Sequence, residues 1–187
     1  MISQVQAGFY NALKLWPETW AANTAYTVVD VVKASSYNSH SYLCTTAGTS
    51  HVDTEPTWTT TNGDTQADGT VTWTCYDPKT YQIKAPQAAT VPYVVFGLLT
   101  ELPRGTFADF EAWEDITFWV NCFSKVSTAG VAEIADEVMD AMDDATLTVT
   151  GYTTMKCVRE YTGMTMWDEE VGIYMIPLRF RIWLDKT

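Results

Sequence analysis

"EPTWTTTNGDTQADGTVTWTCY", residues 55–76, is rich in threonine, carries Trp58, Trp73 and Tyr76, and contains no Leu, Ile, Lys or Arg. Threonine and aromatic side chains suit a pleated, half-buried surface. Asn62-Gly63 and Asp68-Gly69 supply tight-turn chemistry, because glycine accepts positive φ and Asn or Asp tolerates it. After the second turn "TVTWTCY" alternates, with Val71, Trp73 and Cys75 pointing one way and Thr70, Thr72 and Thr74 the other. The stretch reads as a short β-hairpin of the kind found in small secreted binding modules.

The chain before it continues the same texture. "TAYTVVDVVK" and "HSYLCTT" are β-branched and aromatic, with "ASSYNS" as the turn between them. Residues 18–77 therefore form a compact all-β unit of three or four short strands. The flanks differ. Residues 2–15 read as a helix, with Val5, Phe9, Ala12 and Leu13 at helical spacing and Trp16 beyond, ended by Pro17. After residue 77, "PYVVFGLLTE" is a strand and residues 103–114 a loop. "EDITFWVNCFS" is a second strand, with Ile116, Phe118, Val120 and Cys122 on one face. Ser127 or Thr128 caps a helix running to about residue 144, whose apolar stripe is Val131, Ile134, Ala135, Val138 and Met142. "GYTTMKCVREYTGMTMW" and "VGIYMIPLRFRIWL" follow as two strands, the latter alternating Phe180, Ile182 and Leu184 with Arg179, Arg181 and Trp183. The expected fold is α+β. A mostly antiparallel sheet with flanking helices (residues 1–17 and 78–187) is interrupted by a small all-β insertion domain (residues 18–77). An insertion at a surface loop costs little loop-closure entropy when its own ends lie close together.

Composition narrows the function. The chain has 187 residues, a formal net charge of −12 and 47% hydrophobic residues, which suits a folded globular protein. The eleven Lys and Arg are scattered, so no basic patch is offered to nucleic-acid phosphates. No stretch approaches the roughly 18 apolar residues of a membrane span. The N-terminus has neither a basic n-region nor a cleavage-like site, so synthesis and assembly in a cytosol are expected. Cys44, Cys75, Cys122 and Cys157 form no CxxC, and His40 with Cys44, four residues apart, has no second close pair beside it to complete a ligand set. Four buried free thiols, and no metal or other cofactor, are the expectation. Cys44 and Cys75 each end a strand of the small module, which leaves a contact between them open. No G-x-S-x-G, P-loop or H-E-x-x-H stands in the chain, and no catalytic residue is assigned.

The flanking parts resemble the tail terminator, or tail-completion, proteins of long-tailed bacteriophages and related gene-transfer particles. The residues that carry the resemblance are "YQIKAPQAATVPYVVFG", "WVNCFSKVSTAGVAEIADEVMDAM" and "VGIYMIPLRFRIWL", in this order and spacing. Such proteins form a hexameric ring on the last ring of tail-tube protein, stop tube growth and present a face to the head-completion (neck) proteins. DNA passes through the channel without specific binding. The resemblance implies a non-enzymatic virion structural protein of the tail-neck region, assembled in the host bacterial cytoplasm. Its partners would be further copies of itself, the tail-tube protein and the neck proteins. An acidic lumen would keep DNA from sticking. Glu133, Asp136, Glu137 and Asp140, on the polar side of the second helix, are candidates for lining it, beside the alternative of an ordinary solvated helix face.

Residues 18–77 resemble a small module of phage structural and tail-fibre proteins, similar to carbohydrate-binding modules of chitinases. The matching residues are "TAYTVVDVVK", "YLCTTAGTS", "EPTW" and "DGTVTWTC"; where such modules often carry Gly-Asp, Val29-Asp30 stands here. This gives the alternative function, a glycan-binding or virion-decoration protein acting through the insert. Trp58, Tyr37 and Tyr42 are the candidate stacking rings for surface glycans, since sugar C–H groups match an aromatic face. Trp73 and Tyr26 are expected in the module's core.

Overall fold

A computed structural model describes residues 2–106 and 112–187. They divide into two compact units, Met1–Trp16 with Thr80–Thr187, and Pro17–Lys79. In chain order α1 (Ile2–Leu13) belongs to the first unit. The second contains β1 (Glu18–Thr19), β2 (Ala25–Tyr26), β3 (Val31–Lys33), β4 (Ser41–Thr46), β5 (Gly48–Thr49), β6 (Thr65–Asp68) and β7 (Val71–Tyr76). The first then resumes with β8 (Thr80–Gln82), β9 (Tyr93–Arg104), β10 (Trp113–Ser124), α2 (Thr128–Met142), β11 (Tyr152–Thr162), β12 (Met166–Asp168) and β13 (Ile173–Lys186).

The Pro17–Lys79 unit holds a five-stranded sheet in the order β1-β3-β4-β7-β6 and a two-stranded sheet, β2-β5. β6 and β7 are the hairpin expected from the sequence, with Asp68 paired to Val71 across Gly69-Thr70 and Gly69 at φ 58°. Gly63 also takes positive φ but sits in the loop before β6, where its N–H donates to the Cys75 carbonyl. "TAYTVVDVVK" is not one strand. It breaks at Val29, which adopts φ 84° and donates its N–H to the Cys44 carbonyl at 2.9 Å, while Asp30 accepts from the Thr27 N–H at 2.7 Å. A β-branched residue in that region is a strained outlier. The core gathers Trp20, Tyr26, Tyr42, Cys44, Val71, Trp73 and Cys75. Cys44 faces Trp73 across the β4–β7 ladder, Cys75 faces Tyr42, and both thiols are free.

The other unit is a six-stranded sheet, ordered β11-β13-β10-β9-β8, with β12 also paired to β13. All its pairs are antiparallel except β8–β9. The period-2 reading of β10 places Ile116, Phe118, Val120 and Cys122 in the interior, each fully buried. Phe9 of α1 stacks on Phe118, with ring centroids 4.0 Å apart and planes within 10°. α2 begins at Ser127, whose hydroxyl accepts the Gly130 N–H at 3.0 Å, and buries Val131, Ile134, Ala135, Val138 and Met142. It ends at Met142, two residues before the expected terminus.

The described chain is β-rich with two helices, which fits the α+β expectation in part. The sheets are mostly antiparallel, but the helices do not flank the large sheet on both sides. Phe9 of α1 packs on Phe118, and Glu137 of α2 acts electrostatically on Cys122 of the same β10 face. The expected loop over residues 103–114 is shorter, because β9 runs to Arg104 and β10 starts at Trp113; its residues 107–111 lie outside the described residues. The expected strand over 151–167 is split into β11 and β12. Among the described residues no helix is long and apolar enough to cross a membrane.

Candidate functional site

The helix-free face of the six-stranded sheet is the surface with the least ordinary chemistry. β10 and β13 are in register here, so Asp115, Thr117, Trp119, Asn121 and Phe123 lie opposite Trp183, Arg181, Arg179, Pro177 and Met175. Side chains of one strand alternate between faces, so these are the residues left over when the interior set is assigned. The face has a polar half and an apolar half.

In the polar half the Asp115 carboxylate is nearly buried and receives a bidentate pair from Arg181, Nε to Oδ1 at 2.7 Å and Nη2 to Oδ2 at 2.6 Å. Arg104 approaches the same carboxylate at 3.4 Å. Hydrogen bonds and charge from Arg181, reinforced by Arg104, hold the Asp115 carboxyl below its usual range. Glu160 of β11 lies 3.6 Å from Arg181 and 3.9 Å from Arg179. The guanidiniums in turn lie over aromatic faces, Arg181 over Trp183 and Arg179 over Tyr161. Three of the chain's four arginines thus meet on one face.

In the apolar half Trp119 lies across Gly97 of β9, so closely that a Cβ there would come within 2.5 Å of the indole. Tyr93 and Phe123 pack at 5.0 Å. The tight turn after β12 is fixed by Asp168, whose side chain accepts the Glu170 and Val171 N–H groups at 3.0 and 3.3 Å. Two contiguous hollows of about 550 and 600 Å³ share Tyr93, Phe123, Val171 and Ile173 as walls. Met164, Met166, Trp167 and Val171 stand exposed beside them. Of this surface the sequence displayed Arg179, Arg181 and Trp183 as an alternation. Its remaining signal was β10 itself, whose Trp119 and Phe123 make both faces of the strand partly apolar.

The sequence-predicted site residues fare differently. Tyr42 is fully buried, with Trp58 stacked on its ring at 4.0 Å, and cannot receive a sugar; its placement in a strand beside Trp73 decided this. Trp58 is half-buried, and its indole N–H donates to Glu55 at 2.7 Å. Tyr37 is half-buried and its hydroxyl is enclosed. Trp73 and Tyr26 are in the core, as expected. On α2, Glu133, Asp136 and Asp140 are exposed, but Glu137 is half-buried and turned toward Cys122, so the acidic face has three members and not four.

Sequence reasoning missed Asp68 beyond its turn role. Its buried carboxylate accepts the indole N–H of Trp20 at 2.8 Å and of Trp73 at 3.1 Å on Oδ2, and the His51 backbone N–H at 2.8 Å on Oδ1. Burial pushes the Cys44 thiol up to about 11 and the Cys157 thiol up to about 12, and raises Cys122 and Cys75 as well. These groups remain thiols at neutral pH and are poor nucleophiles. Among the described residues no group of three or more His, Cys, Asp or Glu is placed to hold a metal ion.

The family model described as tail completion protein gp17 matches residues 65–185, well over half of the chain, and begins inside the Pro17–Lys79 unit. The chain belongs to this family and is a structural component of the virion tail. It is also similar to a chain in the solved virion of the native gene transfer agent particle, at 18% identity and a TM-score of 0.46, covering 57% of this chain and 78% of that one. No curated protein matches.

Proposed function

We propose that the protein caps the tail tube of a long-tailed phage as a homo-hexameric ring, ends tube growth and joins the tail to the head-completion proteins. The observation that carries this is the helix-free face of the six-stranded sheet. Half-exposed aromatics and directional arginine pairs on one broad face suit an interface that a neighbouring copy covers, since ring closure needs heterologous contacts of defined geometry. The exposed carboxylates of Glu133, Asp136 and Asp140 would line the channel and repel DNA phosphates. The Pro17–Lys79 unit would be an inserted β module.

Cryo-EM of the neck in assembled particles tests the reading directly. A ring at the tube end with this sheet face between copies supports it; a ring built through other surfaces overturns the interface assignment. Arg179→Glu with Trp183→Ser should block ring formation and yield overlong tubes, without loss of the monomer fold by circular dichroism. Neutralising Glu133, Asp136 and Asp140 should slow DNA ejection, and unchanged ejection rejects the lumen assignment.

A second reading concerns the insert. Trp58 is braced by Tyr42 beneath and Glu55 at its edge, a preorganised aromatic platform of the sort that binds sugars. A glycan array with the full chain and with Trp58→Ala tests it. Absence of Trp58-dependent binding leaves decoration or assembly as the insert's role.

A further inference from the structure

Two pairs of Asn or Asp followed by Gly stand in the Pro17–Lys79 unit, and the fold treats them in opposite ways. Asn62-Gly63 is the chain's one Asn-Gly, and residues 60–65 around it are all exposed. Gly63 takes φ 87°, and a Cβ built on it would meet nothing within 4 Å. Asp68-Gly69 is enclosed. The Asp68 carboxylate is buried and held by two indoles and a backbone amide. A Cβ on Gly69 would come within 2.4 Å of the Thr49 carbonyl oxygen.

An Asn-Gly pair carries a reaction of its own. The asparagine side-chain carbonyl carbon can close a five-membered ring with the next backbone nitrogen, and glycine puts no side chain in the path. The Gly63 nitrogen loses its proton to water and bonds to Asn62 Cγ, the Cγ–Nδ2 bond breaks, and ammonia leaves. Water then opens the succinimide. Cleavage at Cγ yields aspartate. Cleavage at the main-chain carbon yields isoaspartate, whose backbone runs through the former side chain. Water is the only co-reactant, and nothing is oxidised or reduced.

One contact restrains the attack. The Gly63 N–H donates to the Cys75 carbonyl at 2.8 Å. While that bond is closed the nitrogen keeps its proton and its peptide plane is fixed. Asp68 is restrained more heavily, because its carboxylate would have to leave three donors before it could turn onto Gly69.

We propose that Asn62-Gly63 is a self-modification site, at which the folded chain converts Asn62 to aspartate and isoaspartate through local opening of the Gly63–Cys75 hydrogen bond, while Asp68-Gly69 is preserved. The product loosens its own loop. The Asp64 N–H donates to the Thr61 carbonyl at 3.1 Å and closes the turn that contains the pair. The loop is tied down on both sides, by the Tyr42 hydroxyl on the Thr59 carbonyl and by the Cys75 N–H on the Asp64 carbonyl, each at 2.9 Å. Isoaspartate adds a methylene and a negative charge inside that turn, next to the segment that carries Trp58.

The test incubates the full chain beside a peptide of residues 57–71 at neutral pH. Peptide mapping by mass spectrometry and isoaspartyl methyltransferase labelling follow both. In the full chain the products should appear at residue 62 and not at Asp68, whereas the peptide should form isoaspartate at both. Conversion in the full chain should be about tenfold slower than in the peptide, as the net worth of one hydrogen bond allows. Urea below the unfolding transition should change the rate little, because local opening exposes little surface. Asn62→Gln should leave the position unmodified. The converted fraction, separated by ion exchange, should melt below the unconverted chain.

Asn62 left intact once the peptide has converted completely overturns the inference, and so does conversion as fast as in the peptide. A urea dependence as steep as that of global unfolding would assign the reaction to the unfolded chain and remove the local gate. Isoaspartate at Asp68 in the folded chain would overturn the protection of the second pair, and equal melting of the two fractions would overturn the loosening of the loop.

Discussion

The two units solve the same problem by different chemistry. In the Pro17–Lys79 unit the strands are short, and the aromatic cluster is tied together by the single carboxylate of Asp68, which binds two indoles and a backbone amide. In the six-stranded unit β9, β10, β11 and β13 run for 11 to 14 residues each, and the interior is the apolar stack of Phe9, Phe96 and Phe118 beneath two helices. A small module has little apolar area to bury, so a polar anchor that fixes its rings carries more weight there. A large sheet with one covered face can rely on area.

That contrast is best broken at its centre. Asp68→Ala leaves two buried indole N–H groups and one amide without their acceptor, at about 1–3 kcal/mol each, and should remove the module's own unfolding transition in calorimetry. Asp68→Asn, which retains one acceptor oxygen, should restore part of it. In the large sheet the matching change is Phe118→Ala, with an expected cost of about 3–5 kcal/mol from lost burial and the cavity left against Phe9. Denaturant titration of the six-stranded unit checks this, and a smaller effect than that of Asp68→Ala on the module would confirm the difference in design.

Lys79 gives the comparison a pH handle. Its side chain is 1% exposed beside the Tyr76 ring, and desolvation brings its pKa down to about 8 from 10.5. Between those values the unfolded chain holds a proton that the folded chain has released, so this group makes stability rise from about pH 8 to pH 10.5. The upper limit of the gain is about 3 kcal/mol. Urea titrations on the natural chain and Lys79→Met, at pH 7.5 and 10, isolate it; equal pH dependence in both would rule it out. Below pH 8 the same substitution should stabilise.

Smaller effects sharpen the picture further. Gly97→Ala must displace Trp119 and should cost about 1–3 kcal/mol as an overpacking change, with the indole's emission shifting as it moves into solvent. Val29→Gly relieves positive φ and should stabilise the module by about 1 kcal/mol, offset in part by greater freedom of the unfolded chain. A loss of stability would mean that the packing of the half-buried Val29 side chain outweighs its backbone strain.

The interior of the six-stranded unit was legible because it follows period. Ile116, Phe118, Val120 and Cys122 at every second residue, and Val131, Ile134, Ala135, Val138 and Met142 along one helical stripe, leave no other arrangement that buries them together. The hairpin turn was legible because Asp68-Gly69 carries its own conformational chemistry. The open face was not, because its members come from five strands spread over residues 93–186, and a half-exposed Trp119 has the same local sequence signature as a buried one. Tyr42 failed as a glycan platform for a related reason. Its sequence offered only one more aromatic ring on a strand, and the packing of Trp58 over it shows where the ring ends.

By itself the sequence determined the element types, the interior residues, the break in texture at the insert and the family resemblance, since these depend on local propensity, periodicity and residue order. Tertiary structure decided which sheet face stays uncovered, that Glu137 leaves the acidic helix face, that Asp68 joins Trp20 to Trp73, and that Arg104, Arg179 and Arg181 converge on Asp115 and Glu160. These are matters of strand order and register. No local rule in a chain fixes which of its strands become neighbours, and the chemistry of the surface follows from that pairing.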